Sequence, residues 1–156
     1  MLGLRAQEVA SLRLEDIDWR LGAVHVPPTK TRRGRDLPLS ASVGASVAAY
    51  LRAGRPSSAS RRLFLRIGLA EGEPVDASTV RVGVRAAYRL AGLPIHYTGT
   101  HRLRHTAATR LVRAGASVKE VADILGHLSL DSTAVYAKVD LPRLRAVALP
   151  WPRRSR

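Results

Sequence analysis

Cysteine is missing from the 156 residues. That excludes a disulfide framework, a thiolate metal site and a thiol nucleophile, and it suits a cytoplasmic protein, the compartment expected here. Acidic residues are scarce as well, 12 Asp and Glu against 26 Lys and Arg, for a formal net charge of +14. So lopsided a chain is expected to meet a polyanion, with nucleic acid ahead of an anionic membrane. Lysine is rare in turn: Lys30, Lys119 and Lys138 are the only three, and the other basic residues are Arg. GC-rich coding also favours Arg and Ala, so the charge by itself does not single out DNA. No apolar run reaches the length needed to span a bilayer, and the Met-Leu-Gly-Leu-Arg start lacks the charged-then-apolar layout of a signal peptide. No membrane partner is expected. What remains is a globular balance, 46% hydrophobic and 24% charged, long enough for one domain and inconsistent with a disordered basic tail.

Residues 5–14 place Val9 and Leu12 on one helical face with Leu4 and Ala10 beside them, which predicts a short amphipathic helix. Residues 23–27 and 36–39 are β-type on either side of a turn at Arg33-Gly34, so a hairpin or small three-stranded sheet is expected there. Ser40 opens a second helix carrying Val43, Val47 and Leu51, ended by Gly54 and Pro56. A short strand is expected at residues 63–65, then a helix from Asp76 or Ser78 with Val80, Val84, Ala87 and Ala91 inward. The next helix runs from about Thr100 to Ala114 with Leu103, Ala107 and Leu111 aligned and Gly115 as its C-terminal cap. Ser117 and Glu120 form a capping box for a helix that buries Val121, Ile124 and Leu125 and stops at Gly126. A further helix is expected from Ser129 or Asp131 through Val139, and a last basic one after Pro142. The fold class is mainly α with a small antiparallel β-sheet.

His101 and Arg104 lie three apart near a helix N-terminus, where backbone N–H groups and the helix dipole favour an anion. His101 and His105 have metal-ligand spacing, but neither a Glu after the first His nor a third ligand accompanies them, so no metal is expected. Among the tyrosines, Tyr88 falls on an apolar face and reads as core, and Tyr50 and Tyr97 have no His or Arg at useful spacing. Residues 117–139 also read passably as helix-turn-helix, a DNA-binding module without catalysis.

Three stretches taken together, GLRAQEVASLRLEDIDW, TKTRRGRDLPL and THRLRHTAATRLVRAGASVKEVADILGHLSLDSTAVYAKVD, resemble the catalytic domain of the tyrosine recombinases, the phage integrase family. Each piece is weak alone. The ordered set of Arg5, Glu8 three later, Lys30, His101-x-x-Arg104, Leu-Gly-His127 and Tyr136 nine residues on is highly specific, and it covers nearly all of the chain.

The resemblance implies the recombinase fold and a reaction, site-specific DNA cleavage and rejoining through a 3′-phosphotyrosyl link. It makes Tyr136 the nucleophile. Arg5 and Arg104 would bind the phosphate oxygens, His101 would accept the tyrosine proton, His127 would hydrogen-bond the phosphate and Lys30 would protonate the departing 5′-oxygen. Bond energy stored covalently means that no cofactor, metal or nucleotide is required. Glu8 matches an acidic accessory position that orients Arg5 or a His. Arg32, Arg33, Arg35 and Arg102 are expected to contact DNA. The partners implied are double-stranded DNA and further copies of the chain, four on two duplexes.

The family's separate DNA-clamping domain, and the first helices of its catalytic domain, would lie before Gly3. The expected layout is therefore a catalytic domain over residues 1–140 lacking those helices, a basic C-terminal segment over residues 141–156, and no clamping domain. A remnant that binds DNA without cleaving it is the alternative this layout raises. A DNA-relaxing topoisomerase with the same tyrosine chemistry is a third reading, disfavoured by the Leu-Arg-His-Thr and Leu-Gly-His wording.

Overall fold

The computed structural model describes residues 2–28, 34–94 and 99–126. They form helices α1 (Ala6–Ser11), α2 (Ala41–Ala49), α3 (Ala77–Leu90), α4 (Thr100–Arg113) and α5 (Val118–Leu125), with strands β1 (Ile17–Asp18), β2 (Ala23–Val26) and β3 (Arg35–Pro38). The helices expected after Ser129 and after Pro142 lie outside the described residues.

The strands pair antiparallel in the order β1-β2-β3, with Val24 opposite both Ile17 and Leu37 and Val26 opposite Arg35. Alternation along β2 buries Val24 and Val26 and leaves His25 outside, where its Nδ1 lies 2.7 Å from Asp36 Oδ1. The buried face of the sheet joins Leu12, Ile17 and Leu63 in one core, against which Leu2, Leu4, Leu39, Val47 and Leu51 also pack.

The first helix is shorter than its periodicity predicts. It ends at Ser11 because Leu12 turns extended and Asp16 then accepts the Arg13 N–H at 2.8 Å, bending the chain through a 3-10 turn into β1. The Tyr50 ring, at the start of a wide π-type turn that ends α2, stands 5.5 Å from the Phe64 ring. The Tyr50 hydroxyl accepts the Leu65 N–H at 3.0 Å. This tyrosine is structural.

The strand expected at residues 63–65 is absent. Leu63 and Leu65 are buried, yet only single bridges form, Arg13 with Arg62 and Leu65 with Pro74. The Arg55 guanidinium takes the carbonyls of Ser60, Arg62 and Leu63, so a side chain supplies the donors that a partner strand would otherwise bring.

Helix α3 is capped by Asp76, whose carboxylate accepts the Thr79 N–H at 2.7 Å. Val80, Val84 and Tyr88 are half-buried, but Ala87 and Ala91, expected inward, are exposed. The reason is length. Helix α3 packs across α1, which at six residues spans about 9 Å against about 21 Å for the 14 residues of α3. The far end of α3 is left uncovered, with Leu90 91% exposed.

Helices α4 and α5 pack against each other and are joined through Gly115. The capping box is present: Glu120 accepts the Ser117 N–H at 2.7 Å, and Ser117 accepts the Glu120 N–H at 3.2 Å. Their interface is Ala108, Val112, Val121 and Leu125, all nearly inaccessible. The deepest side of α4 is thus turned one residue from the Leu103-Ala107-Leu111 line, because α5 covers that side and leaves Leu103 and Leu111 half-buried.

Candidate active site

Arg5 stands at the N-terminal end of α1, and its own N–H donates to Glu8 Oε2 at 2.8 Å. Its guanidinium donates to Glu8 Oε1 at 3.1 Å, to the Leu125 carbonyl at 3.1 Å and to the Gly126 carbonyl at 3.3 Å. Arg104 projects from α4, is 6% exposed, and donates to the Gly3 carbonyl at 2.8 Å and to the Leu125 carbonyl. Two arginines from opposite ends of the described chain therefore meet at one carbonyl oxygen. The C-terminal end of α5 carries the partial negative charge that attracts them.

Both arginines line a cleft of about 170 Å³ together with Gln7, Arg81, Thr100 and His101. His101 is exposed in the first turn of α4, so the helix N-terminus adds its partial positive charge to three guanidinium groups. Positive charge therefore predominates along the cleft. Arg81 escaped the reading of the sequence, since nothing in its neighbourhood signals that α3 brings it to Arg5 and Arg104.

Glu8 is 6% exposed on a helix whose neighbours Ala6 and Ala10 are also buried. It forms ion pairs with Arg5 at 3.1 Å and with Arg35 at 3.0 Å. Burial pushes its carboxyl upward, but the Arg35 hydrogen bonds, the Arg5 N–H and the charges of both arginines together hold it below the ordinary glutamate value.

Arg35 differs from its expected place among the DNA-contacting arginines. Its side chain is only 11% exposed, and it spends its donors on Glu8 and on the Ile124 carbonyl at 2.8 Å. A signal for this was present: Arg35 and Leu37 share one face of β3, and Leu37 is 2% exposed. The cause is the buried Glu8 carboxylate, which requires countercharge. Arg102 is exposed on α4, as a DNA contact would need to be. Lys30, Arg32, Arg33, His127 and Tyr136 lie outside the described residues.

A profile described as the phage integrase family matches residues 1–142. The chain belongs to the phage integrase family. Among sequences, this integrase-family chain is similar to a Sinorhizobium fredii protein named as an integrase/recombinase, y4rA, with 45% identity over 97% of the chain and 36% of that protein. It is also similar to the tyrosine recombinase XerC of Oceanobacillus iheyensis, with 33% identity over 92% of the chain and 47% of XerC. Among solved structures it is similar to XerH site-specific recombinase bound to a palindromic difH substrate in a post-cleavage complex. There the TM-score is 0.75 at 25% identity, covering 93% of the chain and 41% of XerH. The fold is that of a tyrosine recombinase catalytic domain. The chain spans less than half the length of these relatives.

Proposed function

We propose that this integrase-family chain carries out site-specific DNA recombination by cleaving and rejoining strands through a 3′-phosphotyrosyl intermediate. The observation that carries the reading is the convergence of Arg5, Arg104 and His101 on one anion-sized cleft. In this reading the Tyr136 hydroxyl oxygen attacks the scissile phosphorus, the bond from phosphorus to the 5′-oxygen breaks, and the 3′-phosphate stays on the tyrosine. His101 takes the tyrosine proton, because an imidazole titrates near neutrality and a free Tyr, at about 10, does not. Lys30 gives the 5′-oxygen its proton; the neighbouring arginines are poor substitutes, since guanidinium holds its proton in this range. Arg5 and Arg104 meet the charge that grows on the non-bridging oxygens, with His127 as a further donor. A second strand's 5′-hydroxyl reverses the step at little net energy.

The likeness to the DNA-bound XerH complex supports double-stranded DNA as the partner. Four protomers on two duplexes are the proposed assembly, and cytoplasm the proposed compartment. Among the described residues no helix is long and apolar enough to cross a membrane.

The test is covalent capture. A pool of short nicked duplexes of random sequence should yield a detergent-resistant protein–DNA adduct, formed in the presence of chelator and without nucleotide. Tyr136→Phe should abolish it while leaving duplex binding intact. An adduct that persists in Tyr136→Phe would reject this tyrosine. DNA binding with no adduct from the wild-type chain would favour a non-cleaving remnant.

A further inference from the structure

The Arg5–Glu8 pair raises an electrostatic difficulty. A carboxylate hydrogen-bonded to a phosphate-binding arginine cancels the charge that the arginine is there to supply. Here a third group enters. Arg35 Nη1 and Nη2 lie 3.2 and 3.0 Å from Glu8 Oε1 and Oε2, so the guanidinium grips both carboxylate oxygens. Each Glu8 oxygen then has one donor from Arg5 and one from Arg35. Arg35 Nε donates to the Ile124 carbonyl at 2.8 Å, one residue before the carbonyl that Arg5 and Arg104 share.

We infer that Arg35 is a positioning residue for the proposed strand-cleavage site: it locks Glu8, and through Glu8 aims Arg5 into the cleft without neutralising it. The inference rests on the cleavage reading above. With Arg35 in place the group of Arg5, Glu8 and Arg35 carries one net positive charge; without it the net charge is zero. A planar fork is needed for the two-oxygen grip plus a third bond to a carbonyl, and a lysine ammonium on a flexible stem does not reproduce that geometry. Gly126 packs against the fork. A Cβ there would come within 2.8 Å of Arg35 Nη1. Arg35 thus joins β3, α1 and the end of α5 at one point, with all three guanidinium nitrogens engaged there.

The consequence for pH follows from the groups that face Glu8. These are Arg5 from the start of α1 and Arg35 from β3, with Arg104 of α4 reached through the Leu125 carbonyl. Removing Arg35 leaves burial opposed by Arg5 alone, so Glu8 takes up its proton at a higher pH. Arg5 then loses its orienting partner under milder acid than in the wild type.

Single-turnover adduct formation on nicked duplexes of random sequence tests this, alongside titration of an intact random duplex and a pH profile of the rate. Arg35→Lys should cleave about tenfold more slowly and Arg35→Ala up to about 100-fold more slowly, the range for a group that orients a site residue. Duplex affinity should stay within about twofold, since the Arg35 donors are taken up by Glu8 and the Ile124 carbonyl. The acid limb of the rate should move to higher pH in both. If Arg35→Ala does not fold, Arg35→Lys keeps stem and charge and carries the comparison. Wild-type rates and an unmoved acid limb in Arg35→Lys would overturn the role of Arg35 alone, as would a rate loss wholly explained by weaker duplex binding. Absence of any adduct from the wild type would overturn the cleavage reading and this role with it.

Discussion

Arg5 and Arg104 donate to the same oxygen, the carbonyl of Leu125, so their guanidinium groups are no farther apart than two hydrogen bonds span. One lies at the first helix and the other on α4; only the fold brings them together. A spacing of this kind lets both forks engage one phosphate group. The carbonyls of Gly3, Leu125 and Gly126 hold the forks in place; for the proposed cleavage, such preorganisation would avoid the cost of ordering long side chains at the moment of reaction.

Arg104 should therefore report on stability and chemistry together. Arg104→Ala takes its donor from the buried Gly3 carbonyl, at a cost of about 1–3 kcal/mol for a buried unsatisfied group, while the Leu125 carbonyl keeps the Arg5 donor. The cleavage rate should fall by at least ~100-fold, the scale for a lost transition-state donor. Arg104→Lys keeps the charge but cannot reach both carbonyls, so it should fall between. Denaturant melts and single-turnover rates measure the two effects separately. A cleavage rate insensitive to Arg104→Ala would remove this arginine from the site.

Much of this was legible in the sequence, for reasons that can be stated. The Ser117–Glu120 box, the Asp76 cap, and Gly115 and Gly126 as helix stops are local signals, and local hydrogen bonding realises them. His101 and Arg104 share a helical turn, so their proximity follows from spacing alone. The pairing of Arg5 with Arg104 and the approach of Arg81 are tertiary facts, invisible to periodicity. Ala87 and Ala91 are expected inward but lie exposed, because amphipathic spacing shows which face can be buried and not how far the neighbouring helix extends. Arg35 is expected with the DNA-contacting arginines from the family resemblance, whereas strand alternation puts it on the Leu37 face, the buried one, beside Glu8.

Glu8 should make its mark on acid stability. Its carboxyl is held below the ordinary value of 4.5 in the folded chain, so the unfolded chain binds the proton more tightly. The stabilising contribution is complete above about 4.5, the unfolded value, and is lost as pH falls through the lower folded value. Glu8→Gln should lower stability at neutral pH by about 3 kcal/mol, since two arginines then share a buried site with no countercharge. The variant should also lose less stability than the wild type between neutral pH and the acid range. Parallel stability-versus-pH curves for the two would contradict the ion-pair assignment.

Duplex affinity should be mostly electrostatic. Arg102, Arg110 and Arg113 are exposed along α4, in a chain of net charge +14. The logarithm of the binding constant for a random duplex should fall linearly with the logarithm of salt, by about 0.9 per phosphate neutralised. Arg102→Ala should flatten that slope by about 1 and weaken all sequences alike, whereas Arg35→Ala should leave it unchanged. A salt-independent affinity would remove the electrostatic footing of the DNA reading.

Gly126 offers a test of the arginine junction from the backbone side. It ends α5 at φ +60, in the left-handed region, which costs a residue with a side chain roughly 1–2 kcal/mol. A Cβ would add a second penalty by approaching Arg35 Nη1 to 2.8 Å and Cζ to 3.1 Å. Gly126→Ala should therefore lose more stability than backbone strain alone accounts for. In an Arg35→Met background the clash is with a flexible apolar stem that can give way, so the same substitution should cost less, and the two changes should couple by about 1 kcal/mol in a double-mutant cycle. Gly126→Asn separates the contributions, because Asn tolerates the left-handed region yet still carries the Cβ. Strict additivity of Gly126→Ala with Arg35→Met would mean that the glycine serves only to end the helix. Coupling would mean that the small residue between Leu125 and His127 is required because Arg35 must lie flat against it to hold Glu8.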